Sequence, residues 1–274
     1  MLVVDTGAGG LSTLIRGSGP PLVLLHGLTA NRTFWDPVIP LLVGRHTIVA
    51  PDLLGRGRSY PAPGTDYSML SERDRLLALI RGLRLERPLI VGHSHGASLA
   101  LVVAGAPIVG RHRPAGLLLL SPVTPWTRRP RLVPVLTARV VRPIVVPVAR
   151  SFRRPLTRYV LERRVLADGR KPSADLVDSF SSAYATREGV ETLLDVLQDW
   201  SPSDLTEWMT RPTVPVRMLA GDEDRRISSA HTRRLARRLG APLRFVPKAG
   251  HGLTLDAASE VAREIEKLRE EIRS

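Results

Sequence analysis

VGHSHGASLAL, Val91–Leu101, sets one serine between two histidines and two glycines. The apolar run PLIV comes directly before it and an alanine-rich stretch follows. Small residues at Gly92 and Gly96 suit a chain turning sharply from strand into helix, where a Cβ would strike the neighbouring element. Such a turn lifts its central residue, Ser94, above the sheet edge. Gly-x-Ser-x-Gly is short enough to arise by chance, so the strand before it and the helix after it carry the reading.

Outward from this turn, short apolar runs alternate with amphipathic stretches. Strands are expected within 21–27, 46–52, 88–93, 116–122, 216–224 and 243–251, each nearly continuous in apolar residues, as strands buried on both faces are. Helices are expected over 34–42, 69–83, 95–106, 229–239 and 257–272. This alternation predicts an α/β fold with a mostly parallel twisted sheet and helices on both faces. The opening LVVDTGAGGLSTLI reads as an antiparallel hairpin at the sheet edge. From Pro122 to about Pro212 no strand-like run appears. That length is too great for a loop and predicts an inserted helical lid. The expected division is 1–121 and 212–274 as core, with 122–211 as lid.

A serine hydroxyl attacks a carbonyl only when a base takes its proton and an acid orients that base. LAGDED supplies Asp222 and Asp224 just past one predicted strand, and KAGHGL supplies His251 past the next. Carboxyl ends of parallel strands gather on one edge of a sheet. Ser94, an acid and His251 would therefore meet there.

The ordered set GSGPPLVLLHG (17–27), DLLGRGRS (52–59), VGHSHG, AGDED and AGHG resembles the landmarks of the α/β-hydrolase family across most of the chain outside the lid. The resemblance implies Asp224 rather than Asp222 as the acid, three residues beyond the glycine of its turn. It also implies an oxyanion hole from the backbone N–H groups of Leu28 and His95. Phe34 and Trp35 follow the oxyanion loop and are candidates for the substrate pocket, and equally for the core. Among the lid aromatics, Trp126, Phe152, Phe180 and Tyr184 are not sorted into pocket and core by sequence.

His93 and His95 lie two apart on a tight turn with no third ligand in sight, so packing and a backbone N–H are expected of them rather than metal binding. His26 is expected to order the oxyanion loop. His46, His112 and His231 are read as surface residues. Neither a metal nor an organic cofactor is expected.

With no cysteine, the chain has no disulfide, thiolate metal site or cysteine nucleophile. The N-terminus MLVVDTGAGG lacks the basic start and apolar core of a signal peptide, and LVPVLTARVVRPIVVPVA carries two arginines and three prolines, which argues against a span. A cytoplasmic protein is the expectation. The net charge of +14 raises the question of nucleic acid. The excess is local, however: residues 127–164 hold eleven arginines and one acid, and 165–210 hold nine acids against three bases. No nucleic-acid module is present. Only three of the forty basic residues are lysines, so compositional bias explains part of the load. Three readings of the arginine-rich lid stay open: a solvated face paired with the acids of 165–210, a contact with an anionic membrane surface, and a grip on an anionic substrate group.

Serine, histidine and aspartate support acyl transfer to water. Haloalkane dehalogenases and epoxide hydrolases carry aspartate at the position of Ser94 and are excluded. A carboxylic ester with an apolar or lipid-like acyl group is the first expectation. Carbon–carbon hydrolases commonly place tryptophan after the catalytic histidine, where this chain has Gly252, so that class stands second. Lactone or thioester hydrolysis stands third. A non-catalytic small-molecule receptor on the same fold is the alternative from another class.

Overall fold

The computed structural model describes residues 2–7, 9–59, 65–107, 110–128, 130–209 and 212–273. Eight strands form one sheet: β1 (Leu2–Asp5), β2 (Gly10–Arg16), β3 (Pro21–Leu25), β4 (Thr47–Pro51), β5 (Leu89–His93), β6 (Gly116–Leu120), β7 (Val216–Gly221) and β8 (Leu243–Val246). Their spatial order is β1-β2-β4-β3-β5-β6-β7-β8. The hairpin β1–β2 is antiparallel, β2 joins β4 antiparallel, and every later pair is parallel.

The continuous apolarity of the central strands follows from burial on both faces. Successive side chains alternate faces. Val23, Leu25, Ile90, Leu117 and Leu119 pack on one side with α2 (Met69–Gly82), α3 (His95–Gly105) and α9 (Ser229–Leu239). Leu22, Leu24, Val91, Leu118 and Leu120 pack on the other with α1 (Ile39–Leu42) and α11 (Ala258–Arg273). Ser68 caps α2 by accepting from the Ser71 N–H, and Gly240 ends α9 in the left-handed conformation.

One expected helix is not continuous. In place of a helix over 34–42 there is a 3₁₀ turn, Arg32–Trp35, and then the single turn α1. Pro37 has no N–H to extend the first, and Pro40 sits in the opening turn of the second.

Between β6 and β7 the described residues contain helices and turns but no strand. α4 (Val133–Thr137), α5 (Arg142–Ser151) and α6 (Arg153–Val160) lead through a π-helical turn at Leu161–Val165 to α7 (Ala174–Ser181) and α8 (Arg187–Asp199). The elements are short where proline recurs, at 134, 143, 147 and 155. Val146, Val190 and Leu194 make a small core of their own. The expected end of this insertion, at 210–211, lies outside the described residues. After β8, α10 (Leu253–Asp256) precedes α11.

Candidate active site

Ser94 stands between β5 and α3 at φ 54° and ψ −114°, a region that side chains seldom adopt. The flanking glycines show why the chain accepts this strain. A Cβ on Gly92 would lie 2.2 Å from the Gly96 carbonyl oxygen, and one on Gly96 would lie 2.4 Å from that of Leu25. The turn is anchored where the Ser94 N–H donates to the Leu120 carbonyl at 2.8 Å. Ser94 and His251 line one cavity of about 290 Å³.

Asp224 follows β7 and His251 follows β8, so adjacent parallel strands deliver both to the same edge. One Asp224 oxygen, Oδ1, accepts from the N–H groups of Arg226 (2.8 Å) and Ile227 (2.9 Å). Oδ2 is left to accept from His251 Nδ1 at 2.9 Å, both side chains being buried. Burial pushes the Asp224 carboxyl up. The charge and hydrogen bond of His251 and the two amides outweigh this and hold it down at about 2. Asp224 is thus an anion fixed against one ring nitrogen, and Nε2 of His251 remains to accept a proton. Asp222 is exposed, which separates the two candidate acids.

His95 opens α3, where the first N–H groups have no intrahelical acceptor. Among the described residues, neither its amide nor that of Leu28 donates to a backbone carbonyl. Leu28 lies on the cavity wall. His26 is buried, and burial lowers it to about 3, so the ring is neutral. Its Nδ1–H donates to the Gly27 carbonyl at 2.8 Å and its Nε2 accepts from the Leu53 N–H at 2.9 Å, which ties the loop after β3 to the loop after β4.

A buried network that sequence reasoning missed supports both amides. Glu72 on α2 meets His95 Nε2 at 2.5 Å and pairs with Arg56. Arg56 in turn donates from Nε to the Leu28 carbonyl at 3.0 Å and from Nη1 to the Leu54 carbonyl at 2.8 Å. Burial raises the Glu72 carboxyl, but Arg56 and His95 together bring it down to about 2. Glu72 shares the buried face of α2 with Met69, Leu76, Leu79 and Ile80 and with one other charged residue, Arg75; these breaks in the apolar pattern were the available signal. His93, also unassigned to the chemistry, stacks on Phe34 with ring centres 4.2 Å apart. Its Nε2–H donates to the His251 carbonyl at 2.8 Å. Burial, and then the His251 charge, lower it well below an ordinary histidine, so it is neutral.

The pocket candidates separate. Phe34 lines the cavity, whereas Trp35 is fully buried in the core beneath it, packed edge-on against Phe34. Trp35 is therefore a core residue and not a pocket residue. Phe180 and Tyr184 of the insertion line the cavity, and the Tyr184 hydroxyl, pushed up to about 12 by burial, donates to the Thr29 carbonyl. Trp126 instead packs against the core with Arg234 over its ring, and Phe152 is exposed. His46 is likewise not a surface residue. It is buried, with Nε2 3.0 Å from Glu266 of α11. No cluster of His, Asp and Glu with the makings of a metal site occurs among the described residues.

The model of the alpha/beta hydrolase family matches residues 22–264. The chain belongs to this family. Among its relatives, the magnesium-chelatase 30 kDa subunit of Rhodobacter capsulatus is 27% identical over 241 residues, covering 82% of this chain and 75% of that protein. The 2-hydroxy-6-oxo-2,4-heptadienoate hydrolase of Pseudomonas putida is 34% identical over 121 residues, 42% of this chain and 43% of that protein. A crystal structure of an alpha/beta hydrolase fold protein from Burkholderia ambifaria superposes with a TM-score of 0.83 at 23% identity, covering 96% of this chain and 98% of the other. Mycobacterial proteins match at 43% identity over 90 residues, and there the alignment spans only 26% of their length. No helix of the described residues is long and apolar enough to cross a membrane.

Proposed function

We propose that the chain is a serine hydrolase of carboxylic esters with an apolar or lipid-like acyl group, acting through an acyl-enzyme. The observation that carries this reading is the hydrogen-bonded Asp224–His251 couple beside a strained Ser94, with both Ser94 and His251 on one largely apolar cavity. Ser94 Oγ attacks the ester carbonyl while His251 Nε2 takes its proton. Asp224 keeps the proton on Nδ1 and stabilises the imidazolium that forms. The N–H groups of Leu28 and His95 receive the oxyanion, already in place before charge develops. His251 returns its proton to the leaving alkoxide, and a water activated by the same nitrogen releases the acid.

Leu156, Val160, Leu161, Phe180 and Val190 make the wall contributed by the insertion, which acts as the lid and favours an apolar acyl chain. The carbon–carbon class is disfavoured at Gly252. A Cβ there would lie 2.7 Å from Val165 Cγ1, so the bulk of tryptophan has no room beside His251. Hydrolysis of a p-nitrophenyl ester series tests the proposal. We expect turnover that rises from acetate to longer acyl chains and disappears in Ser94→Ala. Turnover that survives this substitution, or none on any ester, contradicts it.

A further inference from the structure

Of the fourteen large apolar side chains exposed among the described residues, nine lie within residues 132–159. Five of them, Ile144, Val148, Phe152, Leu156 and Tyr159, recur at spacings of four, four, four and three. The hydrogen bonds Phe152 N–H to Val148 O and Leu156 N–H to Phe152 O carry the helical path from α5 into α6. These side chains therefore form one outward stripe. Ile144 is 71% exposed and Phe152 60%, and the preceding turn adds Val140 at 85%. A solvated helix face would show the reverse, with aliphatics inward and charges outward.

Arginines accompany this stripe. Arg142, Arg154 and Arg158 pair with Asp195, Asp178 and Glu162. Arg128, Arg131, Arg139, Arg163 and Arg164 are exposed and have no carboxylate within 4.0 Å among the described residues. Within residues 127–164 themselves there is one acid, Glu162, against eleven arginines. An apolar stripe flanked along the chain by exposed arginines without a carboxylate partner among the described residues fits a surface that is apolar within and negative at its rim. A second copy of the chain fits badly, because it would bring like charge against like charge.

We infer that α5, α6 and the turns before them dock in the plane of an anionic lipid bilayer. Ile144, Val148 and Phe152 enter the acyl boundary, and the free arginines hold lipid phosphates. Leu156 is 53% exposed and also lines the cavity that holds Ser94 and His251, so the stripe runs up to the cavity wall. An ester leaving the bilayer reaches the serine without crossing water; this consequence rests on the proposed hydrolysis, whereas the docking does not.

Flotation of the whole chain with vesicles of equal parts phosphatidylglycerol and phosphatidylcholine, against pure phosphatidylcholine, tests the docking without any catalytic readout. The chain is expected to float with the anionic vesicles and to be released in part by salt. The exposed double variant Ile144→Ser/Phe152→Ser, checked for an unchanged melt, is expected to lower partitioning by about tenfold or more. No flotation of the wild-type chain, or equal flotation of the variant, overturns the inference. So does a dimer in light scattering that the same variant dissolves, since a second copy then covers the stripe. Loss of ester hydrolysis with flotation intact would sink the proposed function and leave the docking standing.

Discussion

Replacing Glu72 by glutamine removes one buried charge while keeping the size of the side chain. Glu72 stands behind both proposed oxyanion donors, touching His95 directly and reaching Leu28 through Arg56. In the variant, Arg56 keeps the carbonyls of Leu28 and Leu54 but loses its counter-charge. Breaking a buried pair from one side costs about 3–5 kcal/mol, and the two retained bonds favour the lower figure. The depressed carboxyl points to the same size: brought from 4.5 to about 2, it is worth about 3 kcal/mol at neutral pH. Spread over 274 residues at about 2.1 cal/mol/K each, this lowers Tm by about 5 °C. Because the folded carboxyl is depressed, the stabilisation is complete above pH 4.5 and is lost as pH falls toward about 2. The wild-type advantage in melting temperature should therefore shrink across that window. Displaced oxyanion donors should reduce kcat about 10- to 100-fold with KM little changed, since they act on charge that exists only in the transition state. Thermal melts and ester kinetics on the purified variant measure both effects. A melt within about one degree of wild type, together with unchanged kcat, refutes the role given to Glu72.

Further outcomes follow from the geometry. Asp224→Asn should lower kcat by about 10⁴, because asparagine no longer fixes the proton on His251 Nδ1; a loss below about tenfold in steady-state assays would contradict the orienting role. Gly96→Ala places a Cβ 2.4 Å from the Leu25 carbonyl and should yield insoluble or inactive protein, whereas an active, normally melting variant would show that the elbow has slack. His93→Phe keeps a ring beside Phe34 but removes the bond to the His251 carbonyl, and kcat should fall about tenfold. The folded protein resists protonating the buried His93 and His26 rings, while the unfolded chain protonates them, so stability should decline as pH drops below 6.5. His93→Phe should flatten that decline in pH-dependent melts, and an unchanged slope would remove His93 from the account.

The sheet was legible because β3, β5 and β6 are buried on both faces, and such strands leave an unbroken apolar run in the sequence. The elbow was legible because Gly92 and Gly96 answer to backbone contacts within a few residues and one neighbouring strand. Where sequence reading failed, the deciding partner was distant. His46 reads in the sequence as a surface residue, yet Glu266 of α11, 220 positions away, holds it in the interior. Arg56, Glu72 and His95 come from a loop and two helices, and no local pattern joins them. Trp35 and Phe34 are adjacent, chemically alike and both buried on one 3₁₀ turn, and only their different directions from that turn let Phe34 reach the cavity. The insertion was readable as helical from its proline-broken amphipathic runs, but the orientation of its apolar stripe depends on how α5 and α6 lie on α7 and α8.

The central claim is that Ser94 is an activated nucleophile beside a preformed oxyanion hole. Labelling with a fluorophosphonate, whose adduct mimics the tetrahedral intermediate, tests it in one step when the modified residue is mapped by mass spectrometry. The account predicts a single adduct on Ser94 that is lost in His251→Ala. An unlabelled Ser94 in folded protein, or labelling indifferent to His251, contradicts it.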